Sequence, residues 1–286
     1  MQATLHRPVG YCQILLRLRA DLAGDEQEQL FAAEFLAWCE SGCGFVPVRV
    51  VVRHRDDQRS VSITGLSGYS RGQARRGGGM RERVIIDFET TGLSAMMGDR
   101  ATEVAAVVID ETGIIDRFQS LMNGGRRIPP CVQQLTGISN AMISRAPKTE
   151  VVMRELLDFV AGRPLVAHNA AFDHGFLGAE LDRIGAACPS VWLCSLKVAR
   201  RVYPEAPNHR LQTLIRHLCI ETVGQYHRAL ADAEMTALLW LRMEQKLQHD
   251  FALPEVPLEL MRRIQAAPCK GLGQCVGSFK RSVSSA

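Results

Sequence analysis

The chain has 286 residues, is 47% hydrophobic and 22% charged, and carries a formal net charge of +4. That is long enough for one sizeable core with a smaller appendage, and no apolar run approaches the length of a membrane-spanning helix. Nine cysteines with no C-x-x-C pair, at irregular spacing, argue against a disulfide framework and read as reduced thiols in a cytoplasmic protein.

The first 64 residues are weakly patterned. One helix is expected over residues 25–41, with Leu30, Ala33, Phe35 or Leu36, and Trp38 along one face. A short strand is expected at 46–52. Residues 65–82 are rich in Gly and Arg and read as a linker. Gly77-Gly78-Gly79 just before Met80 implies G-rich codons upstream of a methionine codon, as a bacterial ribosome-binding site has. Residues 1–79 are therefore expected to be dispensable, and Met80 is a candidate start.

From residue 83 the pattern sharpens. Buried-type strands are expected at 83–88, 101–109 and 114–121, the last two flanking a turn at Glu111-Thr112-Gly113. A helix follows at 149–160, a short strand at 164–167 and a helix at 172–184 that ends near Gly185. A last strand is expected at 191–194, then helices at 209–219 and 228–247. In the last of these, Leu230, Ala233, Ala237 and Leu241 recur at helical spacing. Strands first, then alternating strand and helix, imply an α/β fold with a mixed sheet over residues 83–250. The tail, 251–286, has one expected helix at 258–266 and then a polar, Gly-rich end.

Three stretches carry chemistry. In Asp87-Phe88-Glu89-Thr90-Thr91-Gly92-Leu93, the two carboxylates lie at a strand end and, at period two, point to the same face. Such a pair repels itself unless a cation intervenes. The Thr90-Thr91-Gly92 turn offers hydroxyls and backbone N–H groups for a nucleotide, and Leu93 a wedge against a base. In His168-Asn169-Ala170-Ala171-Phe172-Asp173, the acid falls on the first turn of a helix, and His168-Asn169 can order the loop before it. His227 stands five residues before Asp232, just ahead of a helix. An acid between Leu230 and Ala233 on an apolar face is costly without a partner. Taken singly, Asp87-x-Glu89 reads as an exposed strand end, Asp173 as a helix N-terminal acid and His227 as a packing histidine. Together, four hard oxygen ligands suit two Mg²⁺ or Mn²⁺ ions, and a histidine near pKa 6.5 can take a proton from water.

Charge supports the same reading. Residues 1–83 carry +3, residues 84–250 carry −2 and residues 251–286 carry +3. Two divalent cations turn the −2 into +2, which restores attraction for a phosphate.

These motifs, with Leu135-Thr136-Gly137-Ile138, resemble the DEDDh group of 3′→5′ exonucleases, which includes the proofreading epsilon subunits of bacterial DNA polymerase III. The resemblance covers about residues 83–247. It implies a ribonuclease H-like fold, with Asp87, Glu89, Asp173 and Asp232 as metal ligands and His227 as general base. It places the 3′-terminal nucleotide over Thr90 and Thr91. Where many members carry Asp-Thr near the fifth strand, this chain has Cys194-Ser195. Three readings follow: an exonuclease on single-stranded or frayed DNA ends that releases nucleoside 5′-monophosphates, an RNA-trimming enzyme of the same group, or an inert nucleic-acid or polymerase-binding module. No membrane partner is expected. Gln274 and Phe279 have the spacing of some sliding-clamp-binding peptides, although an unstructured polar tail is the plainer reading.

Overall fold

The computed structural model describes residues 32–36, 47–55, 58–65, 82–221 and 228–284, with side chains described from residue 82 onward. The chain divides into two units, Met1–Arg75 and Arg76–Ala286.

The first unit contains a three-stranded antiparallel sheet, β1 (Ala32–Leu36), β2 (Pro47–Arg55) and β3 (Gln58–Gly65), in that order. The helix expected at 25–41 is corrected here, because residues 32–36 form a strand paired with β2. β2 is rich in β-branched residues (Val48, Val50, Val51 and Val52) and offers a ladder that local helical spacing cannot foresee. Most of the Gly/Arg-rich stretch, residues 66–81, lies outside the described residues.

The second unit is built on a five-stranded mixed sheet, ordered β6-β5-β4-β7-β8. Its strands are β4 (Arg83–Thr90), β5 (Ala101–Asp110), β6 (Gly113–Leu121), β7 (Leu165–Ala167) and β8 (Trp192–Cys194). β4, β5 and β6 run antiparallel, whereas β7 and β8 join parallel to β4. The helices are α1 (Pro130–Thr136), α2 (Asn140–Arg145), α3 (Thr149–Val160), α4 (Ala171–Arg183), α5 (Ser195–Val202), α6 (Leu211–His217), α7 (Ala229–Phe251), α8 (Leu258–Ala266) and α9 (Leu272–Ser284). This is the mixed sheet flanked by helices that the sequence predicts.

Alternation along β4 and β5 divides the core. Val84, Ile86, Phe88, Val104, Ala106 and Val108 pack with α3 and α4. Ile85, Ala105, Val107 and Ile109 pack on the opposite face with α5 to α9. A sheet covered on both faces reads as continuous apolar sequence, which is why these strands are legible. Midway along α7, Trp240 donates to Glu244 at 2.9 Å, and Arg83 pairs with Glu244 at 2.5 Å. Burial outweighs the arginine and holds the Glu244 carboxyl up at about 7.

Three helices escaped the sequence reading within the expected domain: α1, α2 and α5. α1 carries punctuation that could have revealed it, with Pro130 in its first turn and Gly137 in the left-handed region just past its end. The tail also differs from expectation, since it holds a second helix, α9. Leu272, Cys275, Val276 and Phe279 recur at helical spacing, and Val276 and Phe279 are buried in the main core. Each such burial contributes about 1.5–3 kcal/mol. The Arg263 guanidinium lies 5.3 Å from the Phe279 ring centroid. The Gln274–Phe279 stretch thus lies within a docked helix, with Val276 and Phe279 turned into the core and Gln274 exposed, and is neither an open peptide nor an unstructured tail.

Candidate active site

Asp87 and Glu89 occupy β4 on the face that α7 covers. Opposite them in the antiparallel ladder stand Ala105 and Glu103. After Glu89 the register shifts, and the ladder resumes with Thr90 opposite Ala101. α7 then supplies Asp232. Arg228 is the N-cap residue, and the first helical bond, Asp232 N to Arg228 O at 3.1 Å, fixes the acid in the first turn. One carboxylate oxygen each from Asp87, Glu89 and Asp232 lies within 4.8 Å of the others.

Asp173 reaches the strand by another route. β7 pairs with β4 only at Val84 and Ile85, so the N–H of Phe88 lies beyond that ladder. Asp173, in the first turn of α4, accepts this N–H through Oδ1 at 3.2 Å and is buried. Its charge is felt at both Asp87 and Glu89.

The electrostatics follow from burial and crowding. Burial, followed by the charge of Asp173, Asp232, Glu89 and Glu103, raises the Asp87 carboxyl well above its ordinary value. Glu89 is pushed up to about 8 by burial and then by Asp232 and Glu103, against the opposing charge of Arg228. Burial lifts Asp173 to about 7 despite the Phe88 N–H. An acid cluster so strained toward neutrality fits divalent cations. Hard oxygen donors converge, and a cation between them removes the repulsion.

The turn after β4 is tightly built. The Thr90 hydroxyl donates to Gly92 O at 2.5 Å. The Thr91 hydroxyl accepts from Arg100 N at 3.0 Å and donates to Asp99 at 3.3 Å. The Asp99 carboxylate also accepts Ser94 N–H at 3.1 Å and pairs with Arg126 at 3.5 Å. A Cβ at Gly92 would stand 2.4 Å from Asp99 Oδ2, so any larger residue would displace the Asp99 carboxylate from its bonds to Thr91 and Ser94. Both hydroxyls are thus engaged in shaping the loop. Leu93, in contrast, is 88% exposed, and Met96 and Met97 stand out beside it at 99% and 79%.

His168 and Asn169 shape the approach to Asp173. The His168 Nε2–H donates to the His209 carbonyl at 2.9 Å, which leaves Nδ1 to accept from the Ser195 hydroxyl, also at 2.9 Å. Burial pushes the ring down to about 4, so it is neutral at physiological pH. Ser195, of the divergent Cys194-Ser195 pair, is thereby committed to holding His168. Asn169 takes a left-handed backbone, φ 72°, which Asn tolerates, and the chain turns there into α4. The described contacts of His168 serve to order this loop. His227 lies outside the described residues.

The sequence reading missed Glu103. It is wholly buried beside the acids, and its signal was plain: a lone acid at the head of the apolar run Val104-Ala105-Ala106-Val107-Val108, within an expected buried strand.

The family model described as "Exonuclease" matches residues 84–240, more than half of the chain. The chain belongs to the exonuclease family. Among curated relatives, the 3′-5′ exonuclease DinG of Bacillus subtilis (strain 168) is 38% identical over 182 residues, 63% of this chain and 19% of that protein. A DNA polymerase III PolC-type of Oceanobacillus iheyensis is 42% identical over 167 residues, 57% of this chain and 11% of that protein. The chain thus spans less than a fifth of either relative. Among solved structures, exonuclease X in complex with 5′ overhanging duplex DNA has a TM-score of 0.50 at 26% identity, covering 64% of this chain and 99% of that one. The nuclease domain of 3′hExo, a DEDDh family member bound to rAMP, shares the fold at TM-score 0.52 and 20% identity, covering 62% and 96%. The exonuclease unit is therefore ribonuclease H-like, and the DEDDh resemblance is borne out. Among the described residues, no helix is long and apolar enough to cross a membrane.

Proposed function

We propose that this exonuclease is a metal-dependent 3′→5′ enzyme that releases nucleoside 5′-monophosphates from single-stranded or frayed DNA ends, in proofreading or repair. The observation that carries the reading is the meeting of Asp87, Glu89 and Asp232 within 4.8 Å at one strand end. DinG, a 3′-5′ exonuclease by name, supports the polarity, and the DNA-bound exonuclease X supports DNA. The four acids, Asp173 included, would hold two Mg²⁺ or Mn²⁺ ions. When bound, such ions supply positive charge for the phosphodiester and acidify water. His227 takes the proton from the attacking water, as a base near neutral pKa can. Leu93, with Met96 and Met97, borders the terminal base, and the Thr90–Gly92 turn bears the nucleotide through its backbone. Association with a DNA polymerase rests on the PolC-type relatives alone. The clamp-like Gln274–Phe279 segment lends it nothing, because Phe279 is buried.

Oligonucleotides of DNA and RNA, labelled at either end, test the reading. With Mg²⁺ or Mn²⁺, labelled DNA should yield 5′-mononucleotides from the 3′ end, and excess chelator should stop the reaction. Preference for RNA would transfer the role to RNA trimming. No hydrolysis of either substrate would leave only a binding module.

Metal binding should expel protons. In the folded, metal-free chain Glu89 and Asp173 lose their protons near 8 and 7, against ordinary values of 4.5 and 3.8. Between these limits the native state keeps protons that the unfolded chain has released. Metal-free stability therefore falls as pH rises across this window, and is unaffected below it, where both states are protonated. Cations require the ionised acids, so binding near pH 6 should release protons and weaken as pH falls. Calorimetry in buffers of different ionisation enthalpy reads this number directly. Zero release at pH 6 would contradict the buried cluster.

We also propose that the unit from Arg76 onward acts alone. The family match begins at residue 84, and Glu82, paired with Arg163 at 2.5 Å, already belongs to that unit. A chain starting at Met80 should fold and keep its activity on short oligomers. Loss of cooperative melting in that chain would overturn the division.

A further inference from the structure

Glu103 is fully buried in β5, across the ladder from Glu89. A carboxylate there, whose charge is felt at both Asp87 and Glu89, is costly unless something compensates it. Four hydrogen bonds converge on it. Oε1 accepts from Gln119 Nε2 and from Arg228 Nη2, both at 2.8 Å. Oε2 accepts from Arg228 Nε at 3.1 Å and from Ala229 N at 3.2 Å. A carboxylate has about four acceptor positions, so none remains for a cation. Glu103 is thereby set apart from the acids that converge on the metal site.

The donors identify what it does. Arg228 is the N-cap of α7 and Ala229 its first residue, and the N-cap makes no side-chain capping bond of its own. The sheet supplies the cap instead. Glu103 takes an orphan N–H of the helix, places a negative charge at its positive end, and grips the N-cap guanidinium in a two-pronged pair. Asp232 hangs one turn further on, tied back to Arg228 by its N–H. We propose that Glu103 and Arg228 are a positioning pair that locks the start of α7 to β5 and so sets Asp232 at metal-binding distance from Asp87 and Glu89. This rests on the metal-nuclease reading of the cluster.

Mn²⁺ binding to the full chain, measured by calorimetry, provides the test. Removing a cation beside a cation site should tighten Mn²⁺ if only charge matters. The positioning pair predicts the opposite, since Arg228→Gln frees the helix end. Mn²⁺ affinity should fall about 10-fold in Arg228→Gln and similarly in Glu103→Gln, the usual effect of losing an outer partner of a metal ligand. At saturating Mn²⁺, kcat should also fall about 10-fold, with KM for an oligonucleotide within about 3-fold of the parent. The double variant should be no weaker than the weaker single, because both remove one contact. Unchanged or tighter Mn²⁺ in Arg228→Gln, or additive losses in the double, would overturn the proposal. Should Glu103→Gln fail to fold, the partly exposed Arg228 carries the same prediction. Failure of the parent chain itself to bind Mn²⁺ would instead fell the metal-nuclease reading, whereas normal parent binding with unaffected variants fells the positioning pair alone.

Discussion

Asp87→Ala and Asp232→Ala should each bring oligonucleotide hydrolysis below detection while the chain stays folded. Each removes one of the three oxygens that meet within 4.8 Å, so the cation loses its grip on one side. Metal-free stability moves the other way. Burial and the neighbouring Asp173, Asp232 and Glu89 all raise Asp87, which means that its ionised form is disfavoured in the native state. Deleting it relieves that repulsion at neutral pH, and the cavity left by a short side chain is a small offsetting cost. The melting temperature in chelator should therefore hold or rise, and the stabilisation that Mg²⁺ or Mn²⁺ gives the parent should vanish. Normal turnover by either variant would remove the acids from the site.

His227→Ala should slow hydrolysis roughly 10²–10⁴-fold, the usual worth of a general base, with Mn²⁺ affinity nearly unchanged. His227→Asn should behave alike, because an amide cannot take the proton. The pair of measurements distinguishes roles: a collapse of metal affinity would make His227 a ligand, and a rate near that of the parent would leave water activation to other groups.

Much of the site is readable before any fold is known. Asp87 and Glu89 share a face because a strand alternates with period two. Asp232 falls in the first turn of α7 because the apolar spacing of Ala233 and Ala237 marks the helix, and both are buried as that spacing requires. Thr149–Val160 is the helix that its periodicity predicts. What failed to be read was non-local. Residues 32–36 pair with β2 rather than coil, and α9 forms because Val276 and Phe279 find a core to enter. The same holds for Thr90 and Thr91, whose hydroxyls suggest open ligand groups in sequence but are spent on Gly92, Asp99 and Arg100 in space.

The sequence by itself determined the identity and order of the acids, the strand and helix that carry Asp87, Glu89 and Asp232, and the α/β class, because backbone periods impose those patterns on neighbouring residues. Only the tertiary structure decided that Asp173 closes on the Phe88 N–H past the short reach of β7. It also decided that His168 is locked between Ser195 and His209, and that Glu103 spends both its oxygens on β6 and the head of α7. Those contacts join residues from 16 to 126 positions apart. Their partners are chosen by which strands pair and which helix covers which face, and no local pattern encodes that choice.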